Sequence, residues 1–317
     1  IRTGFKSETW RSLSIVIKLE SVGRVISLRA LDGANEPSDH PASKESETPL
    51  SSQELIRSGR LAEAKAALQL EVKDNPQDYR LRTSLFELLC VIGEWQRADH
   101  TLAVMADESV EVAEGVVLYR KLLAAEAKRR EFLAGGAPPT LPLGDAALGP
   151  YLEAIRLLAD GKPQEAAAML DQAESSRPAV SGVRGGVPFS DLRDADDRFA
   201  AVLEAHLGDE YVWLPLAKLH SLRVYPPTKL RDLMFAPAMV DWGQGVRPVF
   251  VPVRYPGSEH DPRSDVQLAR MTTTRTELAE PVLCLGQRVL LVGAAQVSLL
   301  ALDLVQLDGG KQDGPAA

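Results

Sequence analysis

Residues 59–68 read GRLAEAKAAL and residues 93–102 read GEWQRADHTL. An offset of 34 lays Gly59 on Gly93, Leu61 on Trp95, Ala64 on Ala98 and Leu68 on Leu102. Two further offsets reach residues 161–170, GKPQEAAAML, with Gly161, Ala166 and Leu170 in the same places. Pro76 and Pro178 follow at matching distances. A period of this length, with Gly, Ala, a large apolar residue and Pro in order, is the tetratricopeptide pattern of paired antiparallel helices. Gly permits the turn between the two helices because it tolerates positive φ. The small Ala lets the helices approach, the Leu fills the groove between them, and Pro ends the second helix.

Working outward, residues 110–133 read as one long helix in place of a middle repeat, and the loop 134–144 (AGGAPPTLPLG) stops it. A helix over 145–160 then pairs with one over 163–175. The expectation is five to seven helices between residues 50 and 177. Such an array presents a concave groove that holds a helix or peptide. The alternative is that the helices pack only on each other and on the rest of the chain. Repeat domains mostly serve as binding scaffolds, which favours the first reading.

The 317 residues suit about two domains. With 45% apolar and 25% charged residues, either part can bury a core. A net charge of −8 argues against nucleic acid or an anionic membrane as the main partner. Cys90 and Cys284 stand far apart among apolar neighbours and read as buried thiols of a reducing cytoplasm. The longest apolar stretch, 289–302, is too short and too interrupted to span a membrane. Short strands are conceivable at 14–19 (SIVIKL) and 24–28 (RVISL). Residues 32–49 are a polar linker. Residues 1–49 as a whole are expected to be a poorly ordered or mis-assigned extension, and 308–317 a disordered tail.

Beyond the helices, residues 178–188 (PAVSGVRGGVP) read as a linker, not a phosphate loop, since no Gly-Lys-Ser/Thr follows. Ser190 is placed to cap a helix running to Leu207, with Phe199, Val202, Leu203 and His206 as its apolar stripe and Arg193 and Asp197 paired on its surface. Residues 228–235 suggest a short helix. Residues 246–255 read as a strand whose Pro248 and Pro252 put it at an edge or a bulge. Strands over 288–292 and 297–307, joined by 293–296, close the domain. The expected class is α+β: a tetratricopeptide-like helical part, then a domain over 189–307 with a mostly antiparallel, barrel-like sheet.

Asp194, Asp196 and Asp197 form the densest acidic cluster. A metal site needs ligands converging on one point, and on a helix Asp196 would point away from the other two. A helix-start charge and salt-bridge role is therefore preferred. A metal-assisted hydrolase using Asp194, Asp197 and Asp232 is kept as an alternative, as is a general scaffold with an unrelated partner. His206 reads as a packed histidine. No nucleophile-elbow, zinc-protease or P-loop pattern occurs. Arg193, Asp194, Asp197, Arg231, Asp232, Arg254 and Tyr255 are candidates for a paired polar network. Trp213, Phe235, Trp242, Phe250 and Tyr255 concentrate aromatics that serve as interface anchors or as core.

Several short motifs in order carry a resemblance: DLRDADDR at 191–198, Leu203–Glu204, YVWLP at 211–215, LRDLMF at 230–235 with Pro237–Ala238, VPVRYPGS at 251–258 and GQR at 286–288. On these the chain resembles the ImpE family, also called TagJ or SciE-type, of bacterial type VI secretion clusters. The helical part over 54–176 suits that family too. Phe235 stands where Trp is expected, and ARMTTT at 269–274 departs from a Gly-Arg-Thr-Asp-Trp-like segment. The resemblance implies a cytoplasmic, non-enzymatic, virulence-associated adaptor without a cofactor. It also implies contact with an N-terminal helix of the small sheath subunit and with the sheath-recycling ATPase.

Overall fold

The structure is a computed structural model that describes residues 50–105, 110–275 and 280–309. The extension expected over 1–49, with its two short strands, lies outside the described residues, as does the tail from 310.

The repeat arithmetic translates directly into helix hairpins. Helices α1 (Ser52–Arg57) and α2 (Leu61–Asp74) form the first, α3 (Tyr79–Val91) and α4 (Trp95–Ala103) the second. Helix α5 (Val110–Leu133) follows as one long helix, then α6 (Gly149–Ala159) and α7 (Pro163–Ser176) form the last hairpin. Gly59, Gly93 and Gly161 turn these hairpins at φ of 77°, 77° and 73°, a conformation that disfavours any Cβ. Ala64, Ala98 and Ala166 are completely buried where the helices touch, and Leu68, Leu102 and Leu170 fill the space beside them. Ser51 starts α1 with a reciprocal capping box to Glu54. Helix α3 is buried at every position from Leu85 to Val91, Glu87 included. A helix covered all round sits inside a structure rather than on its surface.

Thirteen strands are described in the second half, most in one large antiparallel sheet. They are β1 (Gly182–Arg184), β2 (Val187–Phe189), β3 (Leu192–Asp194), β4 (Val202–Leu207), β5 (Glu210–Pro215), β6 (Ser221–Val224) and β7 (Phe235–Asp241). Then come β8 (Val246–Pro252), the short helix α8 (Ser264–Gln267), β9 (Thr272–Thr274), β10 (Cys284–Gly286), β11 (Val289–Val292), β12 (Ala295–Ser298) and β13 (Leu304–Leu307). The large sheet runs β2-β1-β13-β6-β7-β8-β4-β5. It is open, with β2 and β5 at its ends, so the barrel does not close. A smaller sheet, β12-β11-β3, packs on its inner face. Leu203, Leu214, Leu222, Val240 and Val251 of the large sheet share that core with Leu192, Leu290 and Val297 of the small one. The class is α+β.

Five local expectations change. The helix from Ser190 to Leu207 is absent; β3, a single 3-10 turn (Asp197–Phe199) and β4 take its place. Asp194 Oδ1 accepts the Asp196 N–H at 2.8 Å and Asp196 Oδ1 accepts the Arg198 N–H at 3.0 Å. Such local side-chain bonds compete with a helix. Strand β4 is buried on both faces, so its apolar residues lack a period that separates strand from helix. Residues 178–188 are not a free linker, since β1 pairs with β13 and β2 pairs back on β1. Asp308 joins there, its N–H donating to Ser181 O at 3.0 Å. Strand β8 is interior, with β7 along its whole length on one side and β4 at the His206–Phe250 pair on the other. Pro237, Pro248 and Pro252 all fall on one alternation of the β7–β8 ladder, the alternation that asks for no N–H. Within 228–235 the expected helix is a single turn, Leu230–Leu233, and Phe235 already begins β7. The strand expected over 297–307 breaks at a 3-10 turn (Leu299–Ala301) and at Asp303, whose φ is 56°.

Candidate functional site

The sheet half packs closely on the helices. Arg254 crosses from the sheet half and donates from Nη1 to Val91 O at 2.7 Å and from Nη2 to Cys90 O at 3.2 Å. These carbonyls lie at the C-terminal end of α3, where a cation is favoured, and Cys90 O also accepts the Gly93 N–H at 3.3 Å. Arg270 does the same for α1, donating to Arg57 O at 3.0 Å. The turn at Gly59 lies against Ser264, and the turn at Gly93 lies against Glu259. Phe235, Met234 and Leu268 complete the helical core around α3. The sheet half therefore packs on α3, on two of the hairpin turns and on the ends of α1 and α3.

Beneath α5 lies a chain of buried charges. Glu126 and Arg129 stand one turn apart on α5, 3.2 Å from each other. Arg129 Nε donates to Glu204 Oε1 on β4 at 2.7 Å, and its Nη2 to Glu204 Oε2 at 3.2 Å. Arg288, just before β11, holds Glu204 with Nη2 and Asp194 Oδ2 on β3 with Nη1, the latter at 2.5 Å. The Tyr255 hydroxyl donates to Asp194 Oδ1 at 2.7 Å. The Tyr211 hydroxyl donates to Glu204, and Trp213 Nε1 donates to the Tyr211 oxygen at 2.6 Å. One network thus joins three layers: long helix, large sheet and small sheet. Glu204, Asp194 and Arg288 are fully shielded from solvent. Buried ions of this kind persist only when paired and hydrogen-bonded.

The two carboxyls at its centre differ. Burial alone would raise Glu204, but Arg129 and Arg288 overcome it and draw its pKa down to about 2. Burial pushes Asp194 up to about 6 against the pull of Arg288, with Asp196 adding repulsion. Glu204 lies between two guanidinium groups, whereas Asp194 shares one.

Of the residues singled out from sequence, Asp194 and Tyr255 belong to this network, and Trp213 leans on it. Arg193 and Asp197 pair at 2.7 Å as their spacing implies, though across a turn and not on a helix, with Glu174 of α7 as a third member. Arg231 and Asp232 do not pair with each other. Arg231 reaches Glu87 at 2.9 Å and lies over the Tyr119 ring at 4.7 Å. Asp232 accepts the backbone N–H groups of Thr228 and Lys229. Arg254 binds carbonyls, as above. Asp194, Asp197 and Asp232 are held by separate partners and do not converge as a metal-assisted hydrolase requires. Among the described residues no group of three or more His, Cys, Asp and Glu side chains is arranged to hold a metal ion. His206 is packed between Phe235 and Tyr211, with Nε2 3.4 Å from Glu126 Oε2. Cys90 and Cys284 are buried thiols whose pKa burial pushes up, so neither is a nucleophile.

Sequence reasoning missed the central members. Glu126 and Arg129 sit in an unremarked turn of α5, and Glu204 and Arg288 were only letters of motifs. The available signal was one charge within each apolar stretch: Glu204 in VLEAHL and Arg288 before VLLV.

These same motifs decide the kinship. The ImpE protein family matches over residues 186–306, from the start of β2 into β13. A Pseudomonas aeruginosa protein, the type VI secretion system accessory component TagJ, is 38% identical over 259 residues, 81% of this chain and 90% of the relative. The chain belongs to the ImpE/TagJ family. A crystal structure of a Vibrio parahaemolyticus protein superposes with a TM-score of 0.74 at 26% identity, over 81% of this chain and 97% of that one. The family model spans the sheet half alone, whereas these two relatives, each covering 81% of the chain, extend into the helices as well. In this member the divergent segment 269–274 retains structural work: Arg270 caps α1, and Thr272 Oγ1 donates to Gln287 O at 2.7 Å. No helix among the described residues is long and apolar enough to cross a membrane.

Proposed function

We propose that this chain is an accessory component of a bacterial type VI secretion system, acting in the cytoplasm as an adaptor and not as an enzyme. Its partner is the N-terminal helix of the small sheath subunit, and the sheath-recycling ATPase is a second contact. The observation that carries this reading is the 38% identity to TagJ across 81% of the chain, helices and sheets together. The chemistry supports it. The buried ionisable groups are engaged with one another or with backbone across layers, which leaves the central carboxylates no substrate-facing role.

Calorimetry with the purified small sheath subunit of the same secretion system is the test. Saturable binding in the micromolar range or tighter is expected. A flat titration up to about 100 μM, weaker than about 5.5 kcal/mol of association, would sink the reading.

A further inference from the structure

Between β8 and β9, residues 258–271 touch the helical half at four places. Their regular structure is slight, a 3-10 turn (Ser258–His260) and the one-turn α8. A Cβ at Gly59, in the first hairpin turn, would lie 2.3 Å from Ser264 Oγ. A Cβ at Gly93, in the second, would lie 2.8 Å from Glu259 Cγ. Arg270 Nη1 donates to Arg57 O at 3.0 Å and Nη2 to Ile56 O at 3.4 Å. Leu268 is buried in the core that α1–α4 share.

The same segment is anchored on the sheet side. Ser258 Oγ donates to Tyr255 O at 2.5 Å and accepts the Gly286 N–H at 2.8 Å. Gln287 Nε2 donates to Ala269 O at 2.9 Å. Arg254 ties both sides at once, donating to Gln267 O at 2.6 Å and to Val91 O at 2.7 Å. Between Leu268 and Arg270, Ala269 is buried with φ of 52°. A left-handed backbone is costly for a residue with a Cβ and persists where its surroundings over-determine it. Here the helices hold the residues on either side of Ala269, and Gln287 holds its carbonyl.

The first two hairpins need such support. Helix α1 has six residues, too few to be stable by itself. A repeat hairpin draws its stability from its neighbours, and among the described residues no hairpin precedes α1. Helices α6 and α7 belong to a different core, shared with Phe199, Val202 and Trp213, to which no residue of 258–271 contributes. We infer that residues 258–271 are a clasp that couples the two halves, so that α1–α4 open together with the clasp while α6 and α7 stay closed. This conformational device does not depend on the adaptor reading.

Native-state hydrogen exchange on the full chain tests it. Ser258→Ala loosens the clasp on the sheet side, and Arg270→Ala unhooks it from α1. Coupling acts equally in both directions. Ser258→Ala should speed exchange about fivefold or more over 258–271 and also over α1–α4, although the Ser258 hydroxyl bonds Tyr255 and Gly286. Arg270→Ala should speed it about threefold around Ser258 as well as at the end of α1. Both variants should leave α6 and α7 at the wild-type rate. Acceleration confined to 255–260 and 286 in the first variant, and to 56–57 and 270 in the second, overturns the inference. Equal acceleration over α6 and α7 overturns it too, because the whole chain then opens as one unit.

Discussion

Two halves of one sheet face are built on opposite rules. Under α5 the outward side chains of β4 and β5 are Glu204, His206, Tyr211 and Trp213, all fully or nearly fully buried. On β6, β7 and β8 the outward side chains include Arg223, Met239 and Val246, and the face is open. The covered half buries its charge, whereas the open half mixes polar and apolar side chains, Arg223 and Asp241 beside Met239 and Val246. The covered half teaches what its ions do. Glu204 accepts from Arg129 of the helix and from Arg288 beside the small sheet, so one carboxylate fixes how three layers meet. An apolar contact would hold the layers together with less regard to register. The open half has no such lock.

The sharpest way to break this comparison is Arg288→Met. It leaves Glu204 facing one cation and Asp194 facing none, and should cost about 3–5 kcal/mol, the usual cost of a stranded buried charge. A urea midpoint that scarcely moves would show that the layers do not depend on the network. Arg254→Ala comes next, since it removes charged hydrogen bonds to carbonyls at the end of α3, each in the range of about 1.5–3 kcal/mol. Faster amide exchange over α3, with α6 and α7 unaffected, is the expected signature.

Acid titration separates the two carboxyls. Glu204, depressed from 4.5 to about 2, gives stability that is complete above pH 4.5 and is lost as pH falls towards 2. Asp194, raised from 3.8 to about 6, works in reverse: its contribution is best below 3.8 and declines as pH rises through 6. Opposite signs make the net change from pH 2 to 7 smaller than either part. Chemical unfolding of Glu204→Gln should flatten the acid limb, and Asp194→Asn the limb between pH 4 and 6. The smallest effect belongs to the open half. Val246→Ser should shift stability by no more than about 0.5 kcal/mol, as for other exposed positions. A larger loss would mean that the face is already packed in the free protein.

Much of the helical half was legible because its rules are local. Gly59, Gly93 and Gly161 are needed where a hairpin turns, and Ala64, Ala98 and Ala166 where two helices touch. Each requirement acts over a few residues and repeats at a fixed interval. The acidic run at 191–198 was misread for a matching reason. Asp, Arg and Phe at those spacings satisfy a helix pattern as well as they satisfy a strand and a turn, and in the following β4 burial on both faces removed the period that would separate strand from helix. The candidate site was legible only in pieces: Asp194 and Tyr255 were singled out together, but Arg288 lies 94 residues from Asp194, and Arg129 lies 75 from Glu204.

The sequence by itself determined the hairpins, their turns, the long helix between them and, through its ordered motifs, the family. It also determined that the second half is strand-rich with an interior too apolar to be a linker. Only the tertiary structure decided that the sheet half packs on α3, that Arg254 and Arg270 end α3 and α1, and that β8 lies inside its sheet. The reason is distance along the chain. Turns and helix contacts are set by neighbours a few residues away, whereas an ion pair or a covered face depends on segments that meet only when the whole chain is folded.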